Sequence, residues 1–124
     1  MIRKLSAMIF LAVFAMSSSG CVALLAGGGA VLWQGGKVIS EERSTSMERG
    51  VRAVKATFQA KNIRLTEEVT KKKVTQIRGE DPSGANVNID VFKTGENSSR
   101  LEIRYGLGEK APAREILDEV KKRL

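Results

Sequence analysis

The chain has 124 residues, with 21 Lys and Arg against 14 Asp and Glu, one cysteine and no histidine. That length holds one domain at most; the missing histidine removes the commonest general base and metal ligand. A lone cysteine excludes an internal disulfide and a cysteine-built zinc site. The net charge of +7 favours anionic partners such as lipid headgroups, nucleic acid or acidic glycans, with a solvated, solubilising surface as the simpler reading.

In chain order, Arg3 and Lys4 form a basic start, Leu5 to Met16 is apolar apart from Ser6, and Ser17 to Gly20 are all small before Cys21. This is the pattern of a secretory signal, and its apolar core is shorter than the about 20 residues that span a bilayer. The predicted division is a signal over 1–20, a cysteine and glycine-rich tether over 21–29, and a folded domain over 30–124. Two of the 21 basic residues, Arg3 and Lys4, lie in the signal, so 19 remain against 14 acidic ones. An uncut membrane helix running on to Trp33 is disfavoured by the small residues at 17–20 and by Gly27-Gly28-Gly29, which are poor helix formers. A plain secretory signal with an unmodified Cys21 is the other alternative.

The glycines do not cradle a nucleotide. Val38 follows Gly36-Lys37 where a phosphate loop needs a hydroxyl, and Val31 stands where its first glycine belongs. The dinucleotide fingerprint fails at Leu32. A flexible tether is the remaining reading.

Ala30 to Glu42 reads as an extended first strand bent at Gly35-Gly36. Thr45-Ser46-Met47-Glu48 matches a capping box with Thr45 as N-cap. Met47, Val51, Val54 and Phe58 then form an apolar helical stripe that stops near Asn62. Ile63, Leu65 and Val69 share one parity, and Val74 to Arg78 is a short strand. Asp81-Pro82-Ser83-Gly84 signals a turn. Ala85, Val87, Ile89 and Val91 alternate with polar residues, as do Leu101, Ile103 and Tyr105 after a turn at Thr94–Asn97. Gly106 and Gly108 end that strand, and Pro112 opens a last helix with Ala113, Ile116, Val120 and Leu124 on one face. The expected fold is α+β, order β-α-β-β-β-β-α: an antiparallel sheet of four to five strands with two helices on one face.

The residues carry no legible catalytic constellation. No serine sits in a G-x-S-x-G elbow. The pairs Glu41-Glu42 and Glu67-Glu68 lie on strands, where neighbours point to opposite faces. Glu80-Asp81 falls at a turn and reads as solvated. A non-enzyme without metal or cofactor is expected.

Ser17 to Cys21 resembles the lipobox of bacterial lipoproteins, with Ser19 at −2 and Gly20 at −1, and Ser18 at −3 where leucine is usual. The resemblance implies that the Cys21 thiol takes a diacylglyceryl group, that the signal is cut between Gly20 and Cys21, and that the new amino terminus is acylated. Val22 rather than aspartate follows the cysteine; by resemblance to the sorting rule of double-membrane bacteria, this favours the periplasmic face of the outer membrane over the inner membrane.

Four pieces together resemble a family of small bacterial lipoproteins of unknown function: Cys21 with its glycine-rich sequel, Trp33-Gln34-Gly35-Gly36-Lys37-Val38, the Ser46 to Phe58 helix, and Ile103-Arg104-Tyr105-Gly106-Leu107-Gly108. The resemblance implies an exported, lipid-anchored protein and brings no known activity; with the residue reading, a non-catalytic envelope structural or binding component is expected. The basic runs Lys71-Lys72-Lys73 and Lys121-Lys122-Arg123 are the expected contacts to anionic headgroups or envelope glycans. A basic nucleic-acid-binding module is the alternative; the sparse aromatics and the export signal count against it.

Overall fold

Gly35 and Gly36 have φ of 61° and 78°, the left-handed pair that a two-residue hairpin loop requires. They divide the expected first strand in two. In the computed structural model, which describes residues 31–124, β1 (Val31–Gln34) and β2 (Lys37–Glu42) pair antiparallel from Gln34↔Lys37 to Val31↔Ser40. The predicted signal over 1–20, Cys21 and the tether over 21–29 lie outside the described residues.

Helix α1 (Met47–Ala60) begins one residue later than the capping box predicts. Ser46 is the N-cap, its Oγ accepting from the Arg49 amide at 3.3 Å. Glu48 therefore falls one place short of the position that could reach back. Thr45 is instead buried, and its carbonyl accepts from Ser99 Oγ at 2.8 Å. The buried stripe is Met47, Gly50, Ala53, Val54, Thr57 and Phe58, with Val51 at its half-buried margin. Gly50 lets the helix lie close on the sheet, since a Cβ there would stand 3.1 Å from Val91 Cγ1. The helix ends as expected near Asn62, which takes φ 56°. The Ile63 amide donates to Phe58 O and the Asn62 amide to Gln59 O, the paired bonds that close a helix through a left-handed residue.

The remaining strands are β3 (Arg64–Thr70), β4 (Val74–Glu80), β5 (Asn86–Gly95) and β6 (Ser98–Tyr105), followed by α2 (Lys110–Lys121). The order is thus β-β-α-β-β-β-β-α. The sheet has six antiparallel strands rather than four to five, in the order β1-β2-β6-β5-β4-β3. β4 runs past Arg78 because Gly79 is not a break: it sits beneath Phe58 and Ile63, where a Cβ would meet Phe58 Cε2 at 2.6 Å. β3 is an edge strand with a bulge between Leu65 and Glu67. The expected parity of Ile63, Leu65 and Val69 fails there, for Ile63 is buried before the strand begins and Leu65 is 45% exposed.

Both helices pack on one sheet face. Val38, Ile77, Val87, Ile89, Val91, Leu101 and Ile103 point into one cluster with Val54 and Phe58 of α1 and Ala113, Ile116, Leu117 and Val120 of α2. Ser40 and Ser99 enter this face satisfied, Ser40 Oγ donating to Glu42 Oε1 at 2.9 Å. Among the described residues, no buried side-chain nitrogen or oxygen lacks a partner.

The registers fix two ends of the sheet. Val31, Glu42, Thr70, Val74, Gly95 and Ser98 lie at one end, with the start of α1. Gln34, Lys37, Arg64, Glu80, Asn86 and Tyr105 lie at the other. Gly106 (φ 59°) and Gly108 (φ 115°) turn the chain there into α2, and Gly108 touches the Gly36 backbone.

Candidate functional site

The predicted site residues Gly20 and Cys21 lie outside the described residues. The carboxylate pairs separate as strand geometry requires. Glu42 points to the helix face, with Lys121 Nζ 3.7 Å away, while Glu41 lies 4.0 Å from Arg100 on the open face. Glu68 pairs with Lys55 of α1 at 2.7 Å. Among the described residues, no group of three or more metal-type side chains converges.

Asp81 is not simply solvated. Its Oδ1 accepts from Ser83 Oγ at 2.6 Å, the Ala85 amide at 2.9 Å and the Ser83 amide at 3.0 Å, and its Oδ2 accepts from the Tyr105 hydroxyl. The aspartate closes the β4–β5 turn on itself, as Asx turns do, and fastens that turn to the end of β6. These donors, with Ser83 Oγ the strongest, hold the Asp81 carboxyl down at about 2. The same bond raises the Tyr105 hydroxyl above its ordinary value. The D-P-S-G sequence carried the Asx signal; the tyrosine partner came only with the fold. Beside this cluster is a recess of about 210 Å³ lined by Lys61, Ile63, Pro82, Pro112, Glu115 and Ile116.

Tyr105 is the only tyrosine in the chain, so an alkaline absorbance titration reads it alone. Its midpoint is expected above the ordinary value of about 10, and Asp81→Asn should bring it back toward that value. Since the folded pKa is raised, the stability from this hydroxyl is fully present below pH about 10 and is lost as pH rises through the folded value. The depressed Asp81 contributes stability above pH about 4, lost as pH falls toward about 2.

The helix-free face of the sheet is a paired charge lattice. Glu102, only 9% exposed, accepts from Lys37 Nζ at 2.8 Å and Arg100 Nε at 3.0 Å. Arg78 pairs with Asp90 at 2.8 Å. The Arg100 guanidinium carbon stands 4.6 Å from the Phe92 ring centroid, a cation–π arrangement. Such mutual pairing leaves little net field for a charged ligand.

The two basic runs fare differently. Lys121 lies 3.7 Å from Glu42, Lys122 pairs with Glu119 at 3.0 Å and Arg123 with Glu119 at 3.1 Å. Lys122 and Arg123 hold the Glu119 carboxyl below its usual value. Hence that run is largely neutralised by its own helix and by β2. Lys71, Lys72 and Lys73 are exposed at the β3–β4 turn. Lys93 joins them, its amide donating to Lys73 O at 2.8 Å. None of these four lysines makes an ion pair among the described residues, and neither do Arg43 and Arg49 near the start of α1. All six belong to the end of the sheet where β1 begins. Sequence reading missed Lys93 because only the β4–β5 register brings it beside Lys73.

A two-layer α+β domain, with both helices on one face of a six-stranded antiparallel sheet and one exposed basic end, is the class that the fold and the surface define. The family described as Protein of unknown function (DUF3568) matches residues 4–123. The chain belongs to that family. No curated protein matches it.

Proposed function

We propose that this is an exported bacterial lipoprotein, cut between Gly20 and Cys21 and held in the cell envelope by acyl chains on Cys21, with a non-catalytic structural or binding domain. The observation that carries the reading is the position of the single cysteine. It stands directly after a basic-headed apolar leader and ten residues before β1 opens at Val31. A free thiol exported from the cytoplasm invites oxidation or intermolecular pairing, whereas a thioether to a diacylglyceryl group removes that liability. By the sorting resemblance at Val22, the periplasmic face of the outer membrane is the favoured site.

The side chains support a binding rather than a catalytic domain. Apart from exposed Glu67, the acidic pairs are engaged in ion pairs or a turn, and most charges of the open sheet face are paired. The nucleic-acid alternative finds less support: Phe58 is buried, Phe92 lies against Arg100, and Tyr105 is bonded to Asp81, so these rings do not form the exposed stacking platform such binders use. Growth with a labelled fatty acid tests the anchor. Label is expected on the wild-type chain and none on Cys21→Ser; equal labelling of both would sink the assignment.

A further inference from the structure

We propose that the basic rim formed by Lys71, Lys72, Lys73 and Lys93, with Arg43 and Arg49 beside it, is a docking surface for anionic phospholipid, and that it holds the domain with the start of β1 toward the bilayer. The inference rests on the reading of Cys21 as the anchor and adds an orientation to it.

Two independent features share one end of the sheet, the chain entry on the β1 edge and the lysine turn on the β3–β4 edge. The chain enters there, because Val31 opens β1 and pairs with Ser40 near the end of β2. The uncompensated cations lie there too. Against those six stand two exposed acids at the same end, Glu48 and Glu96. The opposite end is balanced. Lys61 pairs with Glu115 at 3.1 Å and Arg64 with Glu80 at 3.2 Å, and the two cations there without an ion pair, Arg104 and Lys110, are matched in number by Asp81 and Glu109. The charge of the domain is therefore polarised along the strands.

Nine residues separate Cys21 from Val31, a covalent reach of at most about 35 Å. With Cys21 fixed to a membrane, the entry end can stand no farther than this from it. Screening at physiological salt confines the attraction to about 8 Å, so only cations at the facing end contribute. Each Lys or Arg close to an anionic leaflet strengthens binding roughly fivefold. Acidic glycans carry the same charge, but only the lipid surface explains why the cations sit at the end where the tether enters. In this orientation the Asp81–Tyr105 recess faces away from the bilayer.

The test uses residues 22–124, which lack the anchor but contain the whole compact unit Val31–Leu124 with its sheet, both helices and core. Sedimentation is measured with phosphatidylglycerol-containing vesicles and with pure phosphatidylcholine vesicles, at low and high salt. Binding is expected only to the anionic vesicles and is lost at high salt. Replacing Lys71, Lys72, Lys73 and Lys93 with Gln should weaken it about a hundredfold or more. Replacing Lys61, Arg64, Lys110 and Arg114 with Gln removes the same charge elsewhere and should leave most of the binding. Equal losses in the two variants would mean that net charge alone acts and would overturn the proposal. So would binding to an anionic polysaccharide but not to the vesicles, or no binding by the wild type. Circular dichroism of both variants checks that each is folded. Acylation of Cys21 is read separately by mass, so failure of the anchor leaves a distinct record from failure of the rim.

Discussion

Cys21→Ser is expected to leave the protein unlipidated and uncut, accumulating as a chain that still carries residues 1–20. On the proposed reading, lipid addition and the cut both centre on Cys21, so loss of the thiol is expected to block both. The effect is all-or-none because the anchor has no second cysteine to fall back on. Its energetic basis is the burial of acyl chains, at about 0.8 kcal/mol per methylene; one chain gives reversible attachment and two or more give stable anchoring. Electrophoresis of the membrane fraction should show the wild type at the mature size and the serine variant at precursor size. A serine variant processed like the wild type would show that the cut does not depend on the thiol.

Leu101→Ala should be strongly destabilising. Leu101 is fully buried on β6, opposite Ser40 of β2 and Val91 of β5, and lies close under Gly50 of α1. Truncation removes apolar contact with both layers at a central strand that cannot readily collapse. A loss of about 2–5 kcal/mol is expected, which for a domain of this size lowers Tm by roughly 10–25 °C. Leu107→Ala is the control, since Leu107 is fully exposed in the glycine turn before α2; it should change stability by less than about 0.5 kcal/mol. Thermal unfolding followed by circular dichroism distinguishes the two. Similar midpoints for both variants would contradict the assignment of Leu101 to the core.

The α+β class and most elements were legible in the residues because alternation and helical spacing record which face is buried. β5 was the clearest: Val87, Ile89 and Val91 point inward as their spacing required. The misses share a cause, which is that a local pattern was settled by a distant partner. Thr45 satisfies a capping box by spacing, but Ser99 claims its carbonyl, and Ser46 takes the cap. The predicted strand stops at Arg78, yet Gly79 continues it as the space into which Phe58 and Ile63 pack. Gly35-Gly36 was legible as a bend; that it closes a hairpin depends on β1 and β2 meeting in register.

Charge shows the same division. Lys71-Lys72-Lys73 stayed a free basic run because a tight turn keeps it in solvent. Lys121-Lys122-Arg123 looked equivalent in sequence, but α2 brings Glu119 beneath two of its members and β2 brings Glu42 to the third. Lys93, isolated in the sequence, became part of the rim through the backbone bond to Lys73. The Asp81–Tyr105 bond spans 24 positions and has no local signature beyond the aspartate turn.

The central claim is attachment through Cys21, and intact mass spectrometry of the protein extracted from membranes tests it most directly. The expected mass is that of a chain beginning at Cys21 with added lipid. A mass beginning at Met1, or at Cys21 with a bare thiol, would contradict it.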